Sequence, residues 1–94
     1  GNDELKEAGD KAKHGDWNGA AEIWKKIAEG SDRKMAGRAA YDMALRCEKE
    51  EKFDIALVWA KRSAYDFKNI AILNYICSLN YRIAEKQRLD EQRQ

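Results

Sequence analysis

Small and apolar residues recur every three or four positions along most of the chain, with charged residues between them. The central stretch, Ala36 to Tyr65, shows this most clearly. Ala40, Met43, Ala44 and Cys47 follow helical spacing in its first half, and Ala56, Trp59, Ala60 and Ser63 follow it in the second. The polar run Glu48 to Lys52 separates the halves. The stretch therefore predicts two short helices folded against each other, with small residues at their contact.

The flanking segments carry the same period. Asn2 to His14 predicts a first helix, with Asn2 or Asp3 as its N-cap and a thin apolar stripe of Leu5, Ala8 and Ala12. Gly9 weakens this helix by about 1 kcal/mol relative to alanine but permits close approach of a neighbour. Gly15 suits the left-handed position that ends a helix, and His14 in the last turn predicts a capping contact with the helix dipole. Asp16 caps a second helix from about Trp17 to Glu29, buried through Ala20, Ile23, Trp24 and Ile27 and widened by Ala21 and Ala28. Gly30-Ser31-Asp32 is a stop followed by a new cap. The third helix spans about Asp32 to Glu50. The fourth begins at Phe53 or Asp54 and ends near Tyr65.

Asp66 to Asn69 link it to a fifth helix, with Asn69 as N-cap. That helix opens apolar nearly all round, through Ile70, Ala71, Ile72, Leu73, Tyr75, Ile76, Cys77 and Leu79, which predicts burial on two faces. After Ala84 the sequence EKQRLDEQRQ is polar apart from Leu89, and reads as a helix leaving the body and fraying. Proline is absent and no strand-like alternation occurs, so the fold class is all-α with five helices.

Composition bounds the picture. Ninety-four residues make one domain, near the lower limit for a core without staples. A 37% charged share and a mean hydropathy of −0.85 suit an elongated helical array whose helices stay partly wet. The net charge of +1, with both signs interspersed, draws the chain neither to nucleic acid nor to an anionic membrane. No run is long and apolar enough to span a bilayer, and no signal peptide is evident. The chain opens Gly1-Asn2 without an initiator methionine, so Gly1 reads as a remnant of tag removal, and upstream sequence, a signal included, stays open. Cys47 and Cys77 read as buried thiols on helix faces, with a disulfide between them as the alternative. One histidine and no C-x-x-C pattern argue against a metal site.

The segments also repeat. Gly15 to Trp24 aligns with Glu51 to Ala60, each with an aromatic opening the helix and an alanine three residues on. Ala20 and Ala56 are 36 residues apart, as are Ala8 and Ala44, and Ala44 and Ser78 are 34 apart. Two helices in a period of this length mark a helix-turn-helix solenoid.

On these residues the chain resembles the tetratricopeptide repeat family. Ala8 with Ala20, and Ala44 with Ala56, match its small residues where paired helices cross, and Trp17 and Phe53 match its aromatic. The bulky residue after the crossing alanine is Trp24 in one copy, but Ala60 in the other, with Trp59 displaced by one. The family's frequent terminal proline is missing. The resemblance implies a right-handed α-solenoid of about two and a half repeats: about residues 2–30, about 32–66, and a capping half-repeat at about 69–90. It also implies a protein-interaction or scaffolding module, with a peptide or helix bound in the groove lined by the first helix of each pair. By alignment that groove comprises Arg38, Tyr41, Leu45 and Lys49, with Ile72, Tyr75, Leu79 and Arg82. The competing reading is that these residues pack on other helices, on another domain of the same chain, or on a second copy. The family's clamp for a terminal carboxylate would fall on Leu5, Gly9, Asp42, Ile72 and Ile76, which lack its cations, and Asp42 would repel the ligand. A looser resemblance, on WNGAAEIWKKIAE and AGRAAYDMA, is to C-terminal repeat domains of Bacteroidetes envelope proteins. It implies an excised domain of a larger, lipid-anchored protein in the cell envelope or periplasm.

Chemistry finds no foothold. No nucleophile and base are paired, no phosphate loop occurs, and no metal-ligand spacing or paired carboxylates stand in an apolar setting. The expectation is a protein that is not an enzyme and takes no cofactor, with a protein or peptide as partner and no nucleic acid. The tryptophans Trp17, Trp24 and Trp59 read as packing rather than a ligand cage, and Glu48, Glu50 and Glu51 as a solvated turn.

Overall fold

A computed structural model of the chain describes residues 2–67 and 69–93. The side chain of Asn2 lies outside the described residues, and with it the cap expected there; so does Lys68 in the last linker. Five helices follow in order: α1 (Asn2–Lys13), α2 (Trp17–Ala28), α3 (Arg33–Lys49), α4 (Phe53–Asp66) and α5 (Ile70–Arg93). Among the described residues there is no strand. The chain is all-α.

The polar punctuation sets the helix ends. Asp16 accepts a bond from the Gly19 amide at 3.0 Å, Asp32 one from Met35 at 3.1 Å, and Asn69 one from Ala71 at 2.8 Å. Each satisfies an amide that a helix start leaves unpaired. At the end of α1, His14 Nδ1 lies 2.7 Å from the Asp10 carbonyl oxygen, and Gly15 takes φ 86°. The turn between α3 and α4 has no glycine, and there Glu51 itself adopts φ 60°, a left-handed conformation that few non-glycine residues take.

Each helix packs on the next in sequence, giving an elongated body of 47 × 29 × 18 Å. Ala8, Ala20, Ala44 and Ala56, the residues of the 36-residue offset, are all fully buried. They belong to two cores. Ala8, Ala20, Trp24, Ile27, Ala28 and Ala39 form the first, where α1, α2 and α3 meet. The second joins α3, α4 and α5 through Ala44, Cys47, Phe53, Ala56, Ala60 and Leu79. Half-buried Trp59 packs against both and joins them. With so many alanines the α3–α4 contact is close. The Ser63 hydroxyl donates to the Gly37 carbonyl at 2.7 Å, and a Cβ on Gly37 would stand 2.6 Å from that of Phe67.

One expectation fails on α5, a second holds in part, and a third holds for one cysteine only. Its apolar start is buried on one side, not two: Ile72 and Leu79 are inside, while Ile70, Leu73 and Cys77 are exposed. The physical reason is that α4 covers one side of α5 and no described helix covers the opposite one. Its polar end after Ala84 is exposed apart from half-buried Glu85, as expected, but stays helical to Arg93. Ile83 packs on the second core, and Arg82 and Lys86 stand 5.0 and 6.0 Å from the centre of the Phe53 ring. Cys47 is buried and free, with its thiol pushed up chiefly by burial; Cys77 is free and exposed, so no disulfide joins them.

Candidate functional site

The eight residues expected to line a groove separate into three sets. Arg38, Tyr41 and Ile72 border a cleft of about 470 Å³ bounded by α3, the end of α4 and the start of α5. Helical spacing explains the α3 side, since Arg38, Tyr41, Asp42 and Leu45 follow at three- and four-residue intervals on one flank. Gly37 and Ser63, held together by their hydrogen bond, lie at its base, and Phe67 closes the end. Ile72 is a buried wall residue, Arg38 is exposed, and Leu45 is half-buried.

Tyr75 and Arg82 form the second set, gathered by a residue that sequence reasoning assigned to a solvated turn. Glu48 lies within α3, where it accepts the Tyr75 hydroxyl at 2.7 Å and Arg82 at 3.0 Å. Burial, and then the bond to Glu48, push the Tyr75 phenol well above its ordinary range. Glu48 stands seven residues after Tyr41, two helical turns along the same flank, and that spacing was the signal for its role. Tyr41 meets Tyr75 edge to face, with ring centres 5.4 Å apart and planes at 82°. This contact links the cleft to the Glu48 cluster.

The third set stands apart. Leu79 is fully inside the second core and lines no groove, because Ala44 and Cys47 of α3 and Phe53, Ala56 and Ala60 of α4 enclose it. Lys49 is turned toward α2, its ammonium 5.0 Å from the centre of the Trp17 ring, which also holds the Arg46 guanidinium at 4.6 Å. The electron-rich ring face of Trp17 accounts for both cations.

Asp42, which in the sequence stands only as an obstacle to carboxylate binding, is the most perturbed group of the cleft. Burial raises its carboxyl above the ordinary 3.8, against the opposing pull of Arg38. A carboxyl that binds its proton more tightly when folded contributes most to stability at acid pH. That contribution is lost as pH rises through its folded-state value. Asp42→Asn removes this titration. The unfolding free energy of the variant relative to wild type should therefore shift in its favour between pH 3 and pH 7, read from urea melts across that range. A difference that does not change with pH would show that Asp42 is well solvated.

Among the described residues no group of three His, Cys, Asp or Glu side chains could hold a metal ion. No described helix is long and apolar enough to cross a membrane. No curated protein and no solved structure matches the chain. One family model does match, over residues 6–86, from within α1 to the second half of α5: the chain belongs to the family described as Domain of unknown function (DUF6340).

Proposed function

We propose that the chain is a non-enzymatic interaction or scaffolding module built as a tetratricopeptide-like helical array, which binds a peptide or helix along the flank shared by α3 and α5. Full burial of Ala8, Ala20, Ala44 and Ala56 at their 36-residue offset supports the repeat architecture. The function rests on one observation. A cleft opens beside the half-buried Tyr41–Tyr75 pair, with exposed arginines at Arg38 and Arg82, and tyrosine and arginine are the residues most enriched where proteins hold partners.

The experiment is affinity capture from cells with wild type, with exposed Arg38→Glu and with Tyr41→Ala/Tyr75→Ala, each checked for its helical circular dichroism. Partner recovery should fall at least about tenfold in the folded variants, the loss expected when a central anchor is removed. Unchanged recovery would remove the groove from the account.

A second reading has its own support. Val58 and Tyr65 on α4, with Ile70, Leu73 and Tyr81 on α5, are apolar and at least half exposed. This is the face of a structural module that packs against another domain or a second copy. Sedimentation of the isolated chain as a dimer, abolished by Leu73→Lys, would favour that reading.

A further inference from the structure

The cleft contains an electrostatic imbalance that the fold itself does not resolve. Other carboxylates of α3 and α4 are engaged by cations: Glu48 holds Tyr75 and Arg82, Glu50 pairs with Arg46 at 2.6 Å and Lys52 at 3.3 Å, and Asp66 binds Arg33 at 2.8 Å. Asp42 makes no hydrogen bond or ion pair with a described residue, and the charge of Arg38 on the same helix only partly offsets its burial. Half-buried, it borders a cleft of about 470 Å³, within the range of about 300–1,000 Å³ typical of ligand pockets. Desolvation of a carboxylate without a partner is unfavourable, and a cation brought to it restores the balance.

The walls narrow the class of cation. Tyr41 and Phe67 offer aromatic surface, and Ile72 an aliphatic one. Aromatic faces attract ammonium and guanidinium groups, and apolar walls suit the methylene stem behind them. Exposed Lys34 and Arg38 also border the cleft, and they oppose a small free cation approaching from water. Their field is screened over about 8–10 Å at ordinary ionic strength, whereas a half-buried carboxylate is screened less. The arrangement therefore favours a charge carried past the rim on a long side chain.

We propose that this cleft is a subsite for a lysine or arginine side chain of a bound peptide, with Asp42 as counter-ion and Tyr41 and Phe67 flanking the aliphatic stem. The assignment rests on the groove reading above and specifies its ligand.

Three capped amino acids test it on the isotope-labelled chain by amide chemical shifts: Nα-acetyl-arginine methylamide, its uncharged isostere Nα-acetyl-citrulline methylamide, and Nα-acetyl-glutamate methylamide. The arginine probe should shift Gly37, Tyr41 and Ile72 saturably at millimolar concentration. The citrulline probe should bind at least tenfold more weakly, and Asp42→Asn should weaken the arginine probe at least tenfold. Absence of saturable shifts with arginine, equal binding of citrulline, or tighter binding of glutamate overturns the assignment. So does an Asp42→Asn variant that binds arginine as wild type does; were that variant unfolded, the comparison of arginine with citrulline decides alone. If the arginine probe fails while the tyrosine variants still lose their partner, the cation assignment falls and the groove stands. If the probe behaves as expected while those variants keep their partner, the groove reading fails and the cleft takes a basic side chain independently of it.

Discussion

Leu79→Ala should destabilise the chain by about 2–5 kcal/mol, the range for truncating a fully buried leucine. In a domain of this size each kcal/mol lowers the melting temperature by about 4–8 °C, so a fall of at least about 8 °C is expected. The upper half of the range is favoured by what surrounds the side chain. Leu79 is the largest fully buried side chain among the described residues, and its cluster includes Ala44, Ala56 and Ala60. An alanine has no rotamer with which to fill a neighbouring void, so the cavity persists and its walls lose their dispersion contacts. Leu79→Met, close in volume and flexible, should lose less than about 1.5 kcal/mol. Urea and thermal melts of both variants measure the difference. A Leu79→Ala protein within about 0.5 kcal/mol of wild type would return this residue to the surface, where the repeat alignment put it.

Leu79 also shows where sequence reasoning reached its limit. Helical period identifies the apolar positions of a helix but not which of two apolar flanks a neighbour will cover. In α5 both flanks are apolar over the first three turns, so Ile72 and Leu79 could not be told from Ile70 and Leu73 by pattern alone. The helix boundaries were more legible because capping chemistry is local. Asp16, Asp32 and Asn69 each bond an amide two or three residues away, and that requirement is visible in the sequence itself. The small residues were legible for a related reason. A repeated alanine at a fixed offset serves no purpose on a wet surface, and all four such alanines are buried.

The chemistry of the cleft was the least legible part. Glu48 looked like a turn residue because Glu50 and Glu51 follow it, yet its partners Tyr75 and Arg82 lie 27 and 34 residues away. Such contacts depend on how α5 lies across α3, which no local rule fixes. Asp42 was hidden for the opposite reason. Its significance lies in burial that the charge of Arg38 offsets only in part, and burial is not visible in a sequence. Tyr41 and Tyr75, both expected along the groove, meet edge to face, and Tyr41 borders the cleft beside Asp42.

Trp24→Ala should be as damaging as the loss of Leu79, at about 3–5 kcal/mol for a buried aromatic. Total stabilities of about 5–15 kcal/mol are usual for single domains, so this change removes a large fraction of what holds α1, α2 and α3 together. Trp24 is 5% exposed and shares its core with Ala8, Ala20, Ala28 and Ala39, which again cannot close a gap. Trp24→Phe separates two contributions. The indole Nε1 of Trp24 is buried with no hydrogen-bond partner among the described residues, and such a group costs about 1–3 kcal/mol in desolvation. Phenylalanine fills part of the volume and carries no donor, so relief of that penalty offsets lost contact area. The Phe variant should therefore lie within about 1.5 kcal/mol of wild type, far above the Ala variant. Urea denaturation followed by far-ultraviolet circular dichroism measures both without relying on indole fluorescence. If Trp24→Phe proved as unstable as Trp24→Ala, the indole nitrogen would have to be engaged, and the first core would be held by a polar contact as well as by packing.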